Sequence, residues 1–267
     1  MLKLGWFSTG RGEGSRGFLD LIQGRIDSGS LNARIEYVFS NRERGEAEGS
    51  DQYFDLVERY GLPLLTLSSS RYRREHGGGP MRRHRDGFHA SVMDLVSEFR
   101  PDLCVLAGYM LVTSPQMCQS LPMINLHPAL PDGPDGTWQE VIRKLIEQKA
   151  VTTGVMVHVA TEVVDRGPVL AYCTFPIRGN AFDPLWLQAN ELSEAQLSAE
   201  GEEQPLFKQV RQEGMRRERP LLLETLKAVA DGRLKVSEGH VYDAHSAPTA
   251  GVCLDEEVDR LLEGLQG

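Results

Sequence analysis

A chain of 267 residues with 40% apolar residues can bury a full core, which excludes the disordered class and leads us to expect one large domain with or without a short appendage. The formal charge of -9 argues against a general nucleic-acid binder. No run approaches the roughly 18 apolar residues of a membrane span, and Met1-Leu-Lys-Leu-Gly-Trp-Phe enters strand-like sequence without an apolar signal region, so a cytoplasmic protein is expected. In chain order, Leu2 to Phe7 reads as a strand, followed by a glycine-rich turn (Gly10, Gly12, Gly14, Gly17) and a helix face at Phe18-Leu-Asp-Leu-Ile. Ala33 to Ser40 alternates as a second strand, 52 to 60 reads as a helix, and Leu62 to Leu67 as a third strand. Arg71, Arg73, Arg74, Arg82, Arg83 and Arg85 form a basic segment, either a solvated loop or one that faces an anionic tail.

Phe88, Val92, Leu95, Val96 and Phe99 recur at helical spacing, and Asp102 to Met110 reads as one continuous apolar strand. Met123 to His127 is a further strand, and Thr137 with Glu140 forms a capping box before Val141, Ile142, Leu145 and Ile146. Thr153 to Thr161 and Val169 to Ile177 are two strands joined across the turn Asp165-Arg-Gly-Pro. The polar stretch 180–204 has no firm period and is expected as a loop or partly helical insertion. A helix closes the domain over 210–230, and a small amphipathic one is expected at Val258, Leu261, Leu262 and Leu265. Alternating elements of this kind imply a doubly wound, mostly parallel α/β sheet with helices on both faces, Rossmann-related, over 1–236, with 237–267 as a C-terminal appendage.

The chemistry concentrates at Asn125, His127 and Asp165. An amide, an imidazole and a carboxylate together can stabilise an oxyanion and move a proton, as acyl transfer to an amine demands. Asn125 and His127 are i and i+2 and project to the same side of an extended strand end. Gly12-Glu-Gly14-Ser-Arg-Gly17 satisfies the dinucleotide fingerprint, but Asn41-Arg42 stands where an acidic ribose ligand belongs. A single phosphate at the helix N-terminus is the favoured reading of that loop, a structural turn the plain one. The seven histidines show no metal-ligand spacing and no metal is assigned. Cys104, Cys118, Cys173 and Cys253 lack Cys-x-x-Cys spacing and are expected as reduced thiols.

Asn125-Leu-His127-Pro followed by Asp165-Arg-Gly-Pro resembles the Asn-x-His-Pro and Asp-x-Gly-Pro pair of the folate-dependent formyltransferases. Val38-Phe-Ser-Asn41, Val105-Leu-Ala-Gly-Tyr-Met110, Ser114-Pro115, Thr153-Gly154, Gln212-Glu213 and Ala230-Asp-Gly-Arg-Leu extend the likeness, in order, from residue 1 to about 236. Within that family the chain is most similar to the members that act on glycinamide ribonucleotide. The resemblance implies transfer of a formyl group from 10-formyltetrahydrofolate to that amine in purine synthesis, with Asn125, His127 and Asp165 catalytic. It further implies that Gly14, Ser15 and Arg16 hold the substrate phosphate and that Glu213 binds substrate. Arg85, the segment Met110, Leu111, Val112 and Thr113, and Asn125 match the folate site. The partner is then a phosphorylated small-molecule amine, with no nucleic acid and no membrane; oligomeric state, a homodimer included, stays open.

Several positions depart from the family pattern. Ala129-Leu-Pro-Asp-Gly-Pro replaces the usual Ser-Leu-Leu-Pro, Leu111 and Arg16 replace an arginine and an asparagine, and 71–80 and 183–205 are insertions. The alternatives are another acceptor, such as an amino sugar nucleotide, a nucleotide- or folate-binding module without turnover, and a dinucleotide-dependent reductase.

Overall fold

The computed structural model describes residues 1–264, so the expected helix position Leu265 lies outside the described residues. Strands and helices alternate from the start: β1 (Leu2–Phe7), α1 (Glu13–Asp27), β2 (Ala33–Ser40), α2 (Glu48–Arg59), β3 (Leu64–Thr66), α3 (Ser69–Glu75), α4 (Arg85–Leu95), β4 (Leu103–Leu106), α5 (Pro115–Ser120) and β5 (Met123–His127). There follow α6 (Trp138–Glu147), β6 (Thr152–Val159), β7 (Val169–Pro176), α7 (Asp183–Glu191), α8 (Glu194–Glu200), α9 (Pro205–Ala230), β8 (Leu234–Ser237), β9 (His240–Asp243), β10 (Val252–Cys253) and α10 (Asp255–Gly264). Eight strands form a mostly parallel sheet, and β8 and β9 a separate antiparallel pair. Among the described residues no helix is long and apolar enough to cross a membrane.

The chain divides into two compact units. The first holds Met1–Asn125, His158–Pro168 and Thr225–Ala250; the second holds Leu126–Val157, Val169–Glu224 and the chain from Gly251 on. In the first, strands follow the order β3-β2-β1-β4-β5, each pairing parallel. Parallel strands need cover on both faces, and β1 and β4 are accordingly buried almost throughout. Phe7 stands edge-on to Tyr37 and Tyr109, with centroids 5.8 and 5.9 Å away, and all three are buried with Phe39, Phe88 and Met117. Each such side chain contributes about 1.5–3 kcal/mol by leaving water.

The apolar run after Asp102 is one place where the fold differs from the sequence expectation. The strand stops at Leu106 rather than running on to Met110, because Gly108 sits at φ 74°, in the left-handed region that an extended strand excludes. The chain there bends over the end of β1: Thr9 N–H donates to the Gly108 carbonyl (3.0 Å), and the Met110 N–H donates to Thr9 Oγ1 (3.0 Å). The arginine-rich segment is also more ordered than a loop. Ser68 caps α3 by accepting from Arg71 N–H, and Arg71 pairs with Glu43 at 2.6 Å.

In the second unit β6, β7 and β10 are neighbours in that order, β10 parallel to β7 through Val252↔Ala171 and Cys253↔Tyr172. The Thr137–Glu140 capping box forms with both reciprocal bonds and starts α6. The stretch 180–204 carries α7 and α8, and α9 begins at Pro205, five residues before the expected start. At the start of α10, Asp255 accepts the Thr174 N–H (2.6 Å) and hydroxyl (2.7 Å), which fastens that helix to β7.

Candidate active site

The site elements of the first unit lie at the C-terminal ends of its parallel strands, where open α/β sheets place their ligands. The turn after β1 enters α1 through Gly12, whose extended backbone (φ -117°, ψ 167°) provides an N-cap with no side chain. A helix N-terminus of that kind offers N–H donors and a positive dipole end to an anion. Ser15 is buried in the first turn, and Arg16 Nη1 donates to the Gly49 carbonyl at 3.3 Å. A Cβ at position 108 would lie 2.6 Å from Ser15 Oγ, so Gly108 is required twice, for its left-handed backbone and for its closeness to that hydroxyl. The structure therefore brings the Gly14–Arg16 turn against the segment leading to Met110–Thr113.

That segment forms one wall of a cleft of about 170 Å³, into which Asn125, His158 and Asp165 also reach. Met110 is 73% and Val112 51% exposed, so the wall presents apolar side chains to solvent beside convergent polar groups, the usual character of a small-ligand site. Both ends of the wall are pinned by His89. Its Nδ1 accepts the Ser114 N–H at 3.1 Å, which leaves Nε2 to donate to Tyr109 Oη at 3.1 Å. Burial, reinforced by the nearby Arg85 charge, pushes the His89 imidazole down to about 4. A buried polar chain completes the support: Thr9 Oγ1 donates to Asn41 Oδ1 (2.8 Å), and Asn41 Nδ2 donates to Ser69 Oγ (3.1 Å).

Asp165 has a left-handed backbone (φ 56°), a conformation that Asp and Asn tolerate better than other side-chain-bearing residues. Its turn is fastened to the end of β6, where Val159 N–H donates to the Pro168 carbonyl at 2.8 Å. Gly167 packs so closely that a Cβ there would lie 1.8 Å from the Val159 carbonyl oxygen. Asp165 Oδ1 is 3.6 Å from Nε2 of His158, with side chains 10% and 2% exposed respectively. That separation is of ion-pair length rather than that of a normal hydrogen bond.

The remaining expected residues stand as follows. Asn125 pairs in register with Leu106 on β4 and lines the cleft. His127, two positions on in β5, belongs to the second unit; it is buried, and its Nε2–H donates to the Pro134 carbonyl at 2.9 Å. Arg85 opens α4, pairs with Asp86 at 3.3 Å and is not part of the cleft lining. Glu213, on α9, binds Arg217 at 2.7 Å and Arg216 at 3.0 Å, with Arg217 lying 4.5 Å over the Phe175 ring. In the sequence His158 is one of the histidines without metal-ligand spacing. Its signal was its place at the buried end of a strand seven residues before the carboxylate.

With this geometry in view, comparison with known proteins is decisive at the level of family. The formyl transferase family matches residues 12–181, well over half of the chain. The chain belongs to the formyl transferase family. Among curated relatives of this formyltransferase, a phosphoribosylglycinamide formyltransferase of Saccharomyces cerevisiae is 41% identical over 93 residues, covering 32% of this chain and 44% of the yeast protein. The match to that relative thus spans less than half its length. The Schizosaccharomyces pombe protein of the same name is 27% identical over 176 residues, covering 63% of this chain and 80% of its own. Of solved structures, glycinamide ribonucleotide transformylase 1 from Symbiobacterium toebii superposes with TM-score 0.65 at 22% identity, covering 91% of this chain and 94% of that one. A formyltetrahydrofolate deformylase from Pseudomonas syringae gives TM-score 0.63 at 19% identity, covering 91% and 65% respectively. These likenesses bear out the α/β formyltransferase fold.

Proposed function

We propose that this formyltransferase moves the formyl group of 10-formyltetrahydrofolate onto the amine of glycinamide ribonucleotide, as the names of its relatives describe for them. One observation carries the reading: a single cleft joins the apolar Met110–Thr113 wall to the Asn125 amide and the Asp165 carboxylate, beside a glycine-entered helix N-terminus. The wall takes the flat pterin of the donor, Leu111 contributing backbone and apolar contact. Gly14, Ser15 and Arg16 take the acceptor's phosphate, Arg16 adding a charge-assisted bond. Arg85 and Glu213 are assigned to the donor's anionic end and to the acceptor respectively.

In this reading the neutral amine attacks the formyl carbon and an oxyanion forms. The Asn125 amide and the His127 ring N–H, i and i+2 on β5, donate to that oxygen. His127 exchanges the neutral Pro134 carbonyl for a charged acceptor, and a charge-assisted bond is roughly twice as strong as the neutral one it replaces. Asp165 takes a proton from the attacking nitrogen and returns it to the departing folate nitrogen, so the enzyme ends as it began. No covalent enzyme intermediate and no metal enter the scheme. Its partners are small molecules of cytoplasmic purine synthesis rather than nucleic acid.

The test is an assay of the purified protein with 10-formyltetrahydrofolate and glycinamide ribonucleotide, following both free folate and formylated product. Formylated product formed in step with folate release supports the assignment. Folate release with formate as the product points to water as acceptor and removes it, as does the absence of any release.

A further inference from the structure

We propose that the 183–205 insertion, together with α6 and the start of α9, forms a second ligand site, one that takes a small carboxylic acid with an apolar body. The cavity measures about 450 Å³ and is lined by Arg143, Ile146 and Glu147 of α6, by Leu197 of α8, and by Gln204 and Phe207 where α9 begins. All of these residues belong to the second unit, and none of them lines the formyl-transfer cleft. The volume is that of a small-molecule pocket rather than of a lone water, which occupies about 30 Å³.

Gln204 decides the chemistry. The residue is 2% exposed, and its Oε1 accepts the Phe207 N–H at 2.7 Å, which satisfies a donor of the first turn of α9. That bond fixes the orientation of the amide, since turning it over would set two donors against each other. Nε2 is thereby left at the cavity with no hydrogen-bond partner among the described residues. A buried amide nitrogen offers two N–H donors and no acceptor, so its complement is an oxygen. It also stands at the positive dipole end of a helix of 26 residues, where a carboxylate is a better complement than a neutral carbonyl.

The rest of the lining supplies apolar contact. Phe207 is buried, its ring 5.8 Å from that of Trp138, over which Arg211 lies at 4.5 Å, and this stack holds it as a firm wall. Ile146 and Leu197 are half-buried at the same cavity. Arg143 and Glu147 are exposed, four residues apart on α6 and opposite in charge, so the rim has no net preference and selection falls to the buried amide. One carboxylate on a ring or branched chain matches this lining. A phosphate or polycarboxylate would set its further charges against Glu147 and the apolar wall.

The probe is 3-phenylpropionate, and 3-phenylpropylamine is its counterpart, a body of the same length with donors in place of acceptors. In nitrogen-15-labelled wild-type protein the Gln204 side-chain amide should move on titration with the acid and saturate, and should stay in place with the amine. A Gln204 amide that ignores the acid, or that moves equally with the amine, overturns the proposal. Gln204→Glu keeps an oxygen for the Phe207 N–H but replaces both free donors by an acceptor. Calorimetry should show the acid bound at least about tenfold more weakly by this variant, with the amine now the tighter of the two; unchanged affinity for the acid overturns the proposal. The wild-type titration does not depend on whether the variant folds. Neither readout involves formyl transfer, so failure here and failure of the proposed function are separate results.

Discussion

Replacing Gly167 by alanine isolates the placement of Asp165 from its chemistry. The added methyl would sit 1.8 Å from the Val159 carbonyl oxygen and 3.1 Å from Thr161 Cγ2, while real Cβ contacts essentially never fall below 3.0 Å. The turn must therefore open by at least 1.2 Å, the difference between 1.8 and 3.0 Å. The oxygen it meets cannot give way freely, since the Val159 carbonyl accepts from His158 and the Val159 N–H binds the Pro168 carbonyl. Displacement therefore falls on the loop carrying Asp165, two residues earlier. Misplacing a catalytic group by about 1 Å costs on the order of 100-fold in rate, and the overpacking itself about 1–3 kcal/mol of stability. The assay is steady-state formyl transfer beside thermal unfolding, with Gly24→Ala as control. Gly24 is an exposed residue of α1 with nothing within 4 Å of a new Cβ, and alanine there should leave kcat alone and add about 0.5–1 kcal/mol. A Gly167→Ala enzyme that turns over within about threefold of its parent refutes the claim that this turn sets the carboxylate.

The assigned roles make further expectations. Asp165→Asn, chosen because asparagine also tolerates the left-handed backbone at φ 56°, and His127→Ala should each lower kcat by at least about 100-fold with circular dichroism unchanged; near-normal kcat in either variant removes its assigned role. Arg16→Ala should raise KM for the phosphorylated acceptor about tenfold with little change in kcat, and an unchanged KM removes the phosphate-loop assignment. His89 carries a pH signature. Its imidazole is held down to about 4 from the ordinary 6.5, so the unfolded chain takes the proton first as pH falls. Stability from this group is complete above 6.5 and declines toward 4, by on the order of 3 kcal/mol at 1.36 kcal/mol per pH unit. Urea unfolding at pH 7, 5 and 4 should show that decline in the wild type and a smaller one in His89→Gln; equal slopes in the two proteins would contradict it.

The periodic parts of the fold were legible because periodicity is a local property. β1 was read with its observed ends, and the Thr137–Glu140 capping box was read from two residue types at one spacing and forms both of its bonds. The run to Met110 was overread for the complementary reason: apolar character continues through Ala107 to Met110, but the direction of the chain there is set by the φ of Gly108, which hydropathy does not encode. Among the described residues of 180–204 the buried apolar positions are Phe182, Trp186 and Ala189, spaced by four and three residues but diluted by polar neighbours. The α8 capping box, Ser193 with Gln196, is written in the sequence as a plain Ser-x-x-Gln.

The cleft shows the same division between type and placement. Asn125 and Asp165 stand out in the sequence as side chains of the types that can stabilise an oxyanion or carry a proton, and both line one cleft with the 110–113 wall. His158 escaped notice because a histidine in an apolar strand is most often a satisfied core residue, and nothing in its own neighbourhood distinguishes it. What distinguishes it is the turn. A left-handed Asp165, followed two residues later by a glycine with no room for a methyl group, folds a seven-residue separation back to 3.6 Å. The information was thus present as one aspartate and one glycine, but it becomes readable only once the Val159 carbonyl against which they fold is in view.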